Sequence, residues 1–303
     1  MPGYPNKLYI LPFDHRASFT SLLGFSGKLS PEQLQKVKDF KRVVYDGFLK
    51  IYSSAPAAQK KALGILIDEQ YGEEIIKDAL SKGIVCSMTV EKSGQELFDF
   101  EYGKDYGRHL SKFKGTIAKV LVRYNPENSK ENPAQVKRLK EMCDHCAKNR
   151  ILFLFELLVI PTAQQLAALN GDKHSFDLNQ RPKLMKQAIA ELQSAGVEPD
   201  IWKIEALDTA EDWKLIERQI HKGKERKNVA IIVLGRGESD EKVRKWLSLG
   251  ASISGTSGFA VGRTVFSEPL IRLREGKLSR KEAVDAIANN YQSFIDLWES
   301  SLA

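Results

Sequence analysis

Residues 200–207 read Asp200-Ile201-Trp202-Lys203-Ile204-Glu205-Ala206-Leu207. The apolar residues on both sides of Lys203 predict a short strand covered on both faces, as in the parallel sheet of an α/β protein. Lysine is rarely buried unless it is paired, and a buried lysine can act as a neutral amine that attacks a carbonyl. The alternative is a lysine at a strand end, exposed to solvent or paired with Glu205.

The same unit, a short apolar run followed by a helical pattern, recurs along the whole chain. Helices are predicted after caps such as Ser30 and Thr209, and a closing helix covers residues 279–299. Eight alternating β-α units imply a parallel sheet that closes into a TIM (β/α)8 barrel, so we predict a single barrel domain over residues 1–303. The predicted strands cover residues 8–13, 62–68, 84–90, 117–124, 151–160, 200–207, 229–234 and a segment near 251–254.

An open, doubly wound sheet is the alternative architecture. Such a sheet usually carries a glycine fingerprint directly after its first strand. Here Asp14-His15-Arg16 follow the first predicted strand, which favours the barrel.

The composition is that of a globular protein, with 42% apolar and 28% charged residues in a chain of 303. The net charge is +7, and the basic residues are scattered rather than interleaved with aromatic ones. This pattern suits the attraction of anionic metabolites better than nucleic-acid binding, which uses aromatic stacking platforms. We therefore expect no nucleic-acid partner.

The three cysteines predict a reducing compartment rather than a disulfide framework. Cys143 and Cys146 have the CxxC spacing, but no second pair completes a zinc site, so we expect no metal and no other cofactor. Residues 1–7 do not resemble a signal peptide. No apolar run reaches the roughly 18 residues that span a bilayer. We therefore expect a cytoplasmic protein without a membrane partner, and we further expect it to form a homo-oligomer.

In a TIM barrel, polar groups at the C-terminal ends of the strands converge on one mouth. Lys119, Glu156 and Lys203 each lie inside an apolar run on successive strands four to six, which predicts a shared site. Lys203 is then the nucleophile, and Glu156 or Asp14 moves protons. The alternative is that Lys119 and Glu156 form a salt bridge that merely fills the barrel. The full set at the predicted mouth is Asp14, Arg16, Asp68, Glu91, Lys119, Glu156 and Lys203.

The loops after strands seven and eight predict a phosphate site, because such a site recurs at this position in TIM barrels. Gly235, Gly237 and Gly258 would let backbone N–H groups approach an anion. Arg263 would add a bidentate partner, and Arg236 could do so as well.

Residues 8–270 contain four motifs: Phe13-Asp14-His15-Arg16-Ala17-Ser18, Ile67-Asp68-Glu69-Gln70-Tyr71-Gly72, Asp200-Ile201-Trp202-Lys203-Ile204-Glu205 and Ser257-Gly258-Phe259-Ala260-Val261-Gly262-Arg263. In these motifs the chain resembles the class I aldolases of the tagatose-1,6-bisphosphate aldolase type, which include sulfofructose-phosphate aldolases. The chain is more similar still to the aldolase-like domain that is fused to the sugar kinase of inositol catabolism, 5-dehydro-2-deoxygluconokinase.

The resemblance implies that Lys203 forms a Schiff base and that Glu156 is the acid/base carboxylate, with Asp14 and Lys119 beside it. It implies that Glu91 is a polar active-site residue. It also implies that Arg263, together with the backbones of Gly235 and Gly258, holds a substrate phosphate. The chain departs from the family after strand seven, where Leu234-Gly235-Arg236-Gly237 replaces the family's Leu-Ser-Ala-Gly.

These features predict a metal-independent aldolase that cleaves a phosphorylated ketose or keto sugar acid to dihydroxyacetone phosphate and an aldehyde. Glu156 is expected to take the proton of the substrate hydroxyl, and 6-phospho-5-dehydro-2-deoxygluconate is a candidate substrate by the resemblance. One alternative is a sugar-phosphate isomerase or epimerase that uses Glu156 and Lys119. A second alternative is a non-catalytic protein that binds sugar phosphates.

Overall fold

The computed structural model describes residues 2–302, and it contains a closed barrel of eight parallel strands in chain order. The predicted TIM (β/α)8 barrel is therefore confirmed. The strands are β1 (Leu8–Pro12), β2 (Leu63–Ile67), β3 (Val85–Thr89), β4 (Ile117–Arg123), β5 (Phe153–Leu158), β6 (Ile201–Glu205), β7 (Ala230–Leu234) and β8 (Thr256–Ala260).

Helices connect the strands and cover the outside of the barrel. Several begin at the predicted caps: the side chains of Ser30 and Thr209 accept hydrogen bonds from the third residue of the helix that follows. The helices are α1 (Ala17–Leu22), α2 (Pro31–Ser54), α3 (Ala57–Lys60), α4 (Glu69–Ser81), α5 (Tyr106–Lys112), α6 (Asn132–Asn149), α7 (Ala163–Ala168), α8 (Lys173–Asn179), α9 (Arg181–Ser194), α10 (Ala210–Ile220), α11 (Asp240–Ala251), α12 (Arg263–Arg274) and α13 (Arg280–Ser300).

The alternation of side chains along each strand separates two apolar layers. Residues such as Trp202 and Ile204 point outward and pack with the helices. Residues such as Ile201 point inward and, with Tyr4, form a separate apolar cluster that fills one end of the barrel interior. Lys203 has the same parity as Ile201, so its side chain also points inward. The inward cluster contains Leu8, Ile10, Leu66, Ile117, Leu154, Ile201, Ala230, Ile232 and Ala260.

The prediction of strand eight near residues 251–254 is wrong. Ala251 is the last residue of α11, and the strand begins at Thr256. No apolar run marks the first half of this strand, because Thr256, Ser257 and Gly258 are not typical of a buried strand. Gly258 is needed there because an added Cβ would lie 1.9 Å from the carbonyl oxygen of Leu8 in β1.

Two long excursions leave the C-terminal ends of the strands. The segment after β3 forms an isolated antiparallel bridge between Glu91 and Phe100 and continues through a short 3-10 turn into α5. The segment after β5 contains α7 and α8. Within residues 2–302, no helix combines the length and the apolar character that a membrane crossing requires.

Candidate active site

Lys203 lies in the barrel interior beside Glu156. The two residues are direct neighbours in the β5–β6 register, and the Lys203 Nζ is 2.8 Å from the Glu156 Oε1. Only 5% of Lys203 is exposed. The alternative of a lysine that is exposed to solvent or paired with Glu205 therefore does not hold, because Lys203 is buried and its partner is Glu156.

Lys119 lies at the centre of three carboxylates. Its Nζ is 2.9 Å from the Asp14 Oδ2, 2.7 Å from the Glu91 Oε1 and 2.9 Å from the Glu156 Oε2. Glu156 therefore bridges Lys119 and Lys203 with one oxygen each. The structure brings together the four residues predicted as catalytic, and it adds Glu91 to them.

The three carboxylates differ in their affinity for a proton. Burial raises the pKa of the Asp14 carboxyl, but the opposing charges, chiefly Lys119, hold this pKa well below its usual range. Burial also acts on Glu156, where Lys119 and Lys203 outweigh it and lower the pKa. At Glu91 burial dominates and raises the pKa, although Lys119 opposes it. The pKa of Lys119 is raised well above normal, because its three carboxylates outweigh the effect of burial.

The mouth of the barrel contains two adjacent cavities that share lining residues. Lobe 1, of about 400 Å³, extends toward the ends of β7 and β8. Lobe 2, of about 290 Å³, extends toward β1, β3 and β4. A bound molecule could place its reacting carbon at Lys203 and one end in each lobe, because Lys203 lines both. The shared lining residues are His15, Ser18, Leu121, Arg123, Glu156 and Lys203.

The loops after β7 and β8 form the far wall of lobe 1. Gly235, Arg236 and Gly237 line it together with Gly262 and Arg263. Arg263 begins α12, and no side chain caps the N-terminus of this helix. Its first backbone N–H groups and the helix dipole therefore favour an anion in lobe 1.

Arg236 lines lobe 1, but its guanidinium group already has partners. Its Nε is 3.1 Å from the Glu205 Oε1, and its Nη1 donates to the Asp177 Oδ2 at 2.9 Å. Its backbone oxygen accepts from the Arg263 Nη2 at 2.8 Å. Two carboxylates thus hold the Nε and Nη1 of Arg236, and the residue holds the β7 loop against α8 and Arg263; that Arg236 binds substrate phosphate stays a prediction.

Two further predicted substrate-binding residues lie outside both lobes. Asp68 caps α4 through Tyr71 N at 2.8 Å and forms a buried ion pair with Lys41, so each of its carboxylate oxygens has a partner. Gly258 lies within β8 and not in the loop after it, where its role is close packing against Leu8. Arg16 does line lobe 2, and its Nη1 donates to the Glu101 Oε2 at 2.8 Å.

Four of the six residues that line both lobes were not predicted as site residues, and two of these four carry a titratable or charged group. His15 is one of them: burial lowers its pKa to about 4, so the ring is neutral at physiological pH, and its Nδ1 has no hydrogen-bond partner among residues 2–302. Arg123 is the other. It is on the inward face of β4, four residues after Lys119, and strand alternation alone could have identified it.

The family described as "Uncharacterized protein conserved in bacteria (DUF2090)" matches residues 3–302 of the chain. The chain belongs to this family. None of the curated proteins matches it significantly.

Solved structures with the same barrel include aldolases. A fructose-bisphosphate aldolase from Plasmodium falciparum, in complex with TRAP and an inhibitor, superposes with a TM-score of 0.61 at 12% identity, covering 97% of this chain and 91% of that one. An archaeal fructose 1,6-bisphosphate aldolase gives 0.55 at 12% identity, with 95% of each chain covered. A protein from Corynebacterium glutamicum gives 0.55 at 17% identity, covering 95% and 86%. At these identities the likeness shows the fold.

Proposed function

We propose that this DUF2090 protein is a class I aldolase that forms a Schiff base between Lys203 and a phosphorylated ketose or keto sugar acid. The observation that carries the proposal is the buried Lys203, which contacts Glu156 and lies where the two lobes meet. The aldolase structures that share the barrel and the motif resemblance support the same chemistry.

The proposed reaction begins with attack of the neutral Lys203 amine on the substrate ketone, which gives a carbinolamine. Glu156, in contact with Lys203, takes the proton that Lys203 gives up to become the neutral amine and returns it to the carbinolamine hydroxyl, so that water leaves and an iminium forms. The carbon–carbon bond then breaks, and its electron pair moves to the iminium nitrogen to give an enamine. Protonation and hydrolysis of this enamine release the ketone product and regenerate Lys203.

The phosphate of the ketone half binds in lobe 1. Arg263 and the backbone of Gly235–Gly237 provide donors there, and the N-terminus of α12 adds a favourable dipole. Dihydroxyacetone phosphate is then the ketone product. The motif resemblance makes 6-phospho-5-dehydro-2-deoxygluconate the candidate substrate, which would place a cytoplasmic enzyme in inositol catabolism.

Borohydride reduction followed by intact-mass measurement tests the proposal. Wild-type protein incubated with dihydroxyacetone phosphate, or with its own phosphorylated substrate from a panel, should gain the mass of a reduced adduct on Lys203. Lys203→Ala should lose the adduct and the turnover together, whereas Lys245→Ala, on an exposed part of α11, should behave as wild type.

Turnover that survives in Lys203→Ala would eliminate the Schiff-base mechanism. Isomerisation of a sugar phosphate without any adduct would favour the acid/base alternative that uses Glu156 and Lys119. Saturable sugar-phosphate binding with neither adduct nor turnover would favour the non-catalytic alternative.

A further inference from the structure

Glu91 has one carboxylate oxygen that is buried and unused. Its Oε1 accepts a hydrogen bond from the Lys119 Nζ at 2.7 Å, but its Oε2 has no partner among residues 2–302. The residue is only 5% exposed. Because leaving a buried polar atom without a partner destabilises a protein, such an atom on a residue of a cavity wall points to a ligand that satisfies it.

The main chain around Glu91 is held from two sides. The Arg16 Nη2 donates to the Glu91 backbone oxygen at 2.6 Å, and Glu91 forms the isolated bridge with Phe100. Glu91 lines lobe 2 and not lobe 1. The main chain of Glu91 is therefore fixed beside lobe 2, the lobe that Arg263 and the phosphate-binding loops do not line.

The other two carboxylates around Lys119 are less suited to take a proton from a substrate. Both Glu156 oxygens contact lysines, and the pKa of Asp14 is held well below its usual range. Glu91 has the raised pKa of the set, because burial outweighs the effects of Lys119 and Arg16. An efficient general acid or base has a pKa closer to the operating pH.

We propose that Glu91 is a catalytic residue whose free Oε2 takes the proton of the substrate hydroxyl that becomes the aldehyde in lobe 2. The inference rests on the proposed aldolase function, and it replaces the expectation that Glu156 takes this proton. Glu156 remains with the carbinolamine steps at Lys203.

In this step the hydroxyl O–H bond breaks, and its proton moves to Glu91. The hydroxyl oxygen forms the aldehyde C=O bond, while the electrons of the breaking C–C bond neutralise the iminium nitrogen. Glu91 passes the proton to water as the aldehyde leaves lobe 2. In the condensation direction, protonated Glu91 donates the same proton to the aldehyde oxygen.

The variant Glu91→Gln separates this role from Schiff-base formation. With dihydroxyacetone phosphate as the probe, Glu91→Gln should still give the borohydride-trapped adduct and should still exchange the C3 hydrogen with deuterated water. The rate at which dihydroxyacetone phosphate condenses with a panel of short aldehydes should fall by about 100-fold or more, which is the usual contribution of general acid–base catalysis. Glu91→Asp should recover part of this rate, and Glu96→Gln, an exposed carboxylate of the same excursion, should match wild type.

The pH profile provides a readout that a purely structural role would not move. Condensation needs protonated Glu91, so the wild-type rate should fall as pH rises through its raised pKa; cleavage needs the ionised form and should fall as pH drops. Both pH dependences, that of condensation and that of cleavage, should be absent in Glu91→Gln. The charged groups that face Glu91 are Lys119 from β4 and Asp14 and Arg16 from the segment after β1, and Lys92 and Arg123 line the same lobe.

Two outcomes would overturn this inference but leave the aldolase proposal intact. One is condensation by Glu91→Gln at the wild-type rate. The other is a pH dependence of condensation that disappears in Asp14→Asn but persists in Glu91→Gln. Failure of the wild-type protein to form any adduct would overturn the aldolase proposal and this inference with it.

Discussion

Lys41 is a fully buried cation that holds the segment after β1 in place, although its side chain lines neither lobe of the mouth. Its Nζ donates to the carbonyl oxygens of Phe13 at 2.6 Å and His15 at 3.0 Å, and it forms an ion pair with Asp68. These contacts orient the backbone that carries Asp14 and His15. Lys41 occupies the buried stripe of α2 in an otherwise apolar helical pattern. The stripe is predictable from its helical spacing, but the partner that a buried lysine finds on another element is not.

Lys41→Met should destabilise the protein by about 3–5 kcal/mol, because it leaves Asp68 as an unpaired buried charge. Adding Asp68→Asn should recover part of this loss, since the remaining group is then neutral. The measurement is the free energy of unfolding from urea titration. Lys50→Met, which breaks the exposed pair with Asp285, serves as the control and should cost less than about 1 kcal/mol. Equal losses in the two single variants would contradict this explanation.

The strands show how much of the fold can be predicted from sequence patterns. Seven of them are predicted close to their observed positions, because continuous apolar runs such as Ala230–Leu234 are typical of parallel strands that are covered on both faces. Strand β8 is missed because its register depends on a contact with β1 that no local pattern contains: Gly258 lies against the backbone of Leu8. Glu156, Lys119 and Lys203 are predicted together because each interrupts an apolar run on one of three successive strands. The partners of Arg236 and Asp68 come from α8 and α2, so their engagement could not be predicted from their own strands.

Gly258→Ala should weaken the closure of the barrel. The added methyl group would overlap the Leu8 carbonyl, and φ is +156°, so β1 and β8 must move apart at a cost of about 2 kcal/mol or more. Gly276→Ala is the matched control, because Gly276 has φ +71° but nothing within 4 Å of the place that a Cβ would take; only its backbone strain of about 1–2 kcal/mol should appear. Thermal unfolding of both variants measures the difference, and a smaller loss for Gly258→Ala would refute the proposed contact.

The whole molecule carries a net charge of +7, and part of this charge lines the mouth. Arg123 and Arg263 line the lobes, and neither has a carboxylate partner within residues 2–302, in contrast to Arg236. Unneutralised cations in a cleft concentrate anionic ligands. The single-domain organisation, the absence of nucleic-acid and membrane partners, and self-association are properties of the whole molecule that stay predictions.

The half-saturating concentration of dihydroxyacetone phosphate for adduct formation should rise with ionic strength, because the Debye length shrinks from about 10 Å at 0.1 M salt to about 3 Å at 1 M. Uncharged dihydroxyacetone is the control, and its adduct formation should change little over the same range. A salt response of the same size for both ketones would show that the cations at the mouth do not attract the phosphate.

The closure of the barrel also bears on chain connectivity. β1 pairs with β8 as regularly as the other neighbours pair, and Lys7 forms an ion pair with Glu299 at 2.7 Å. Residues near both ends of the chain are thus adjacent in space, and no strand of the barrel has a free edge. We therefore expect that a circular permutant that joins these residues by a short linker and opens another surface loop keeps all eight strand pairings.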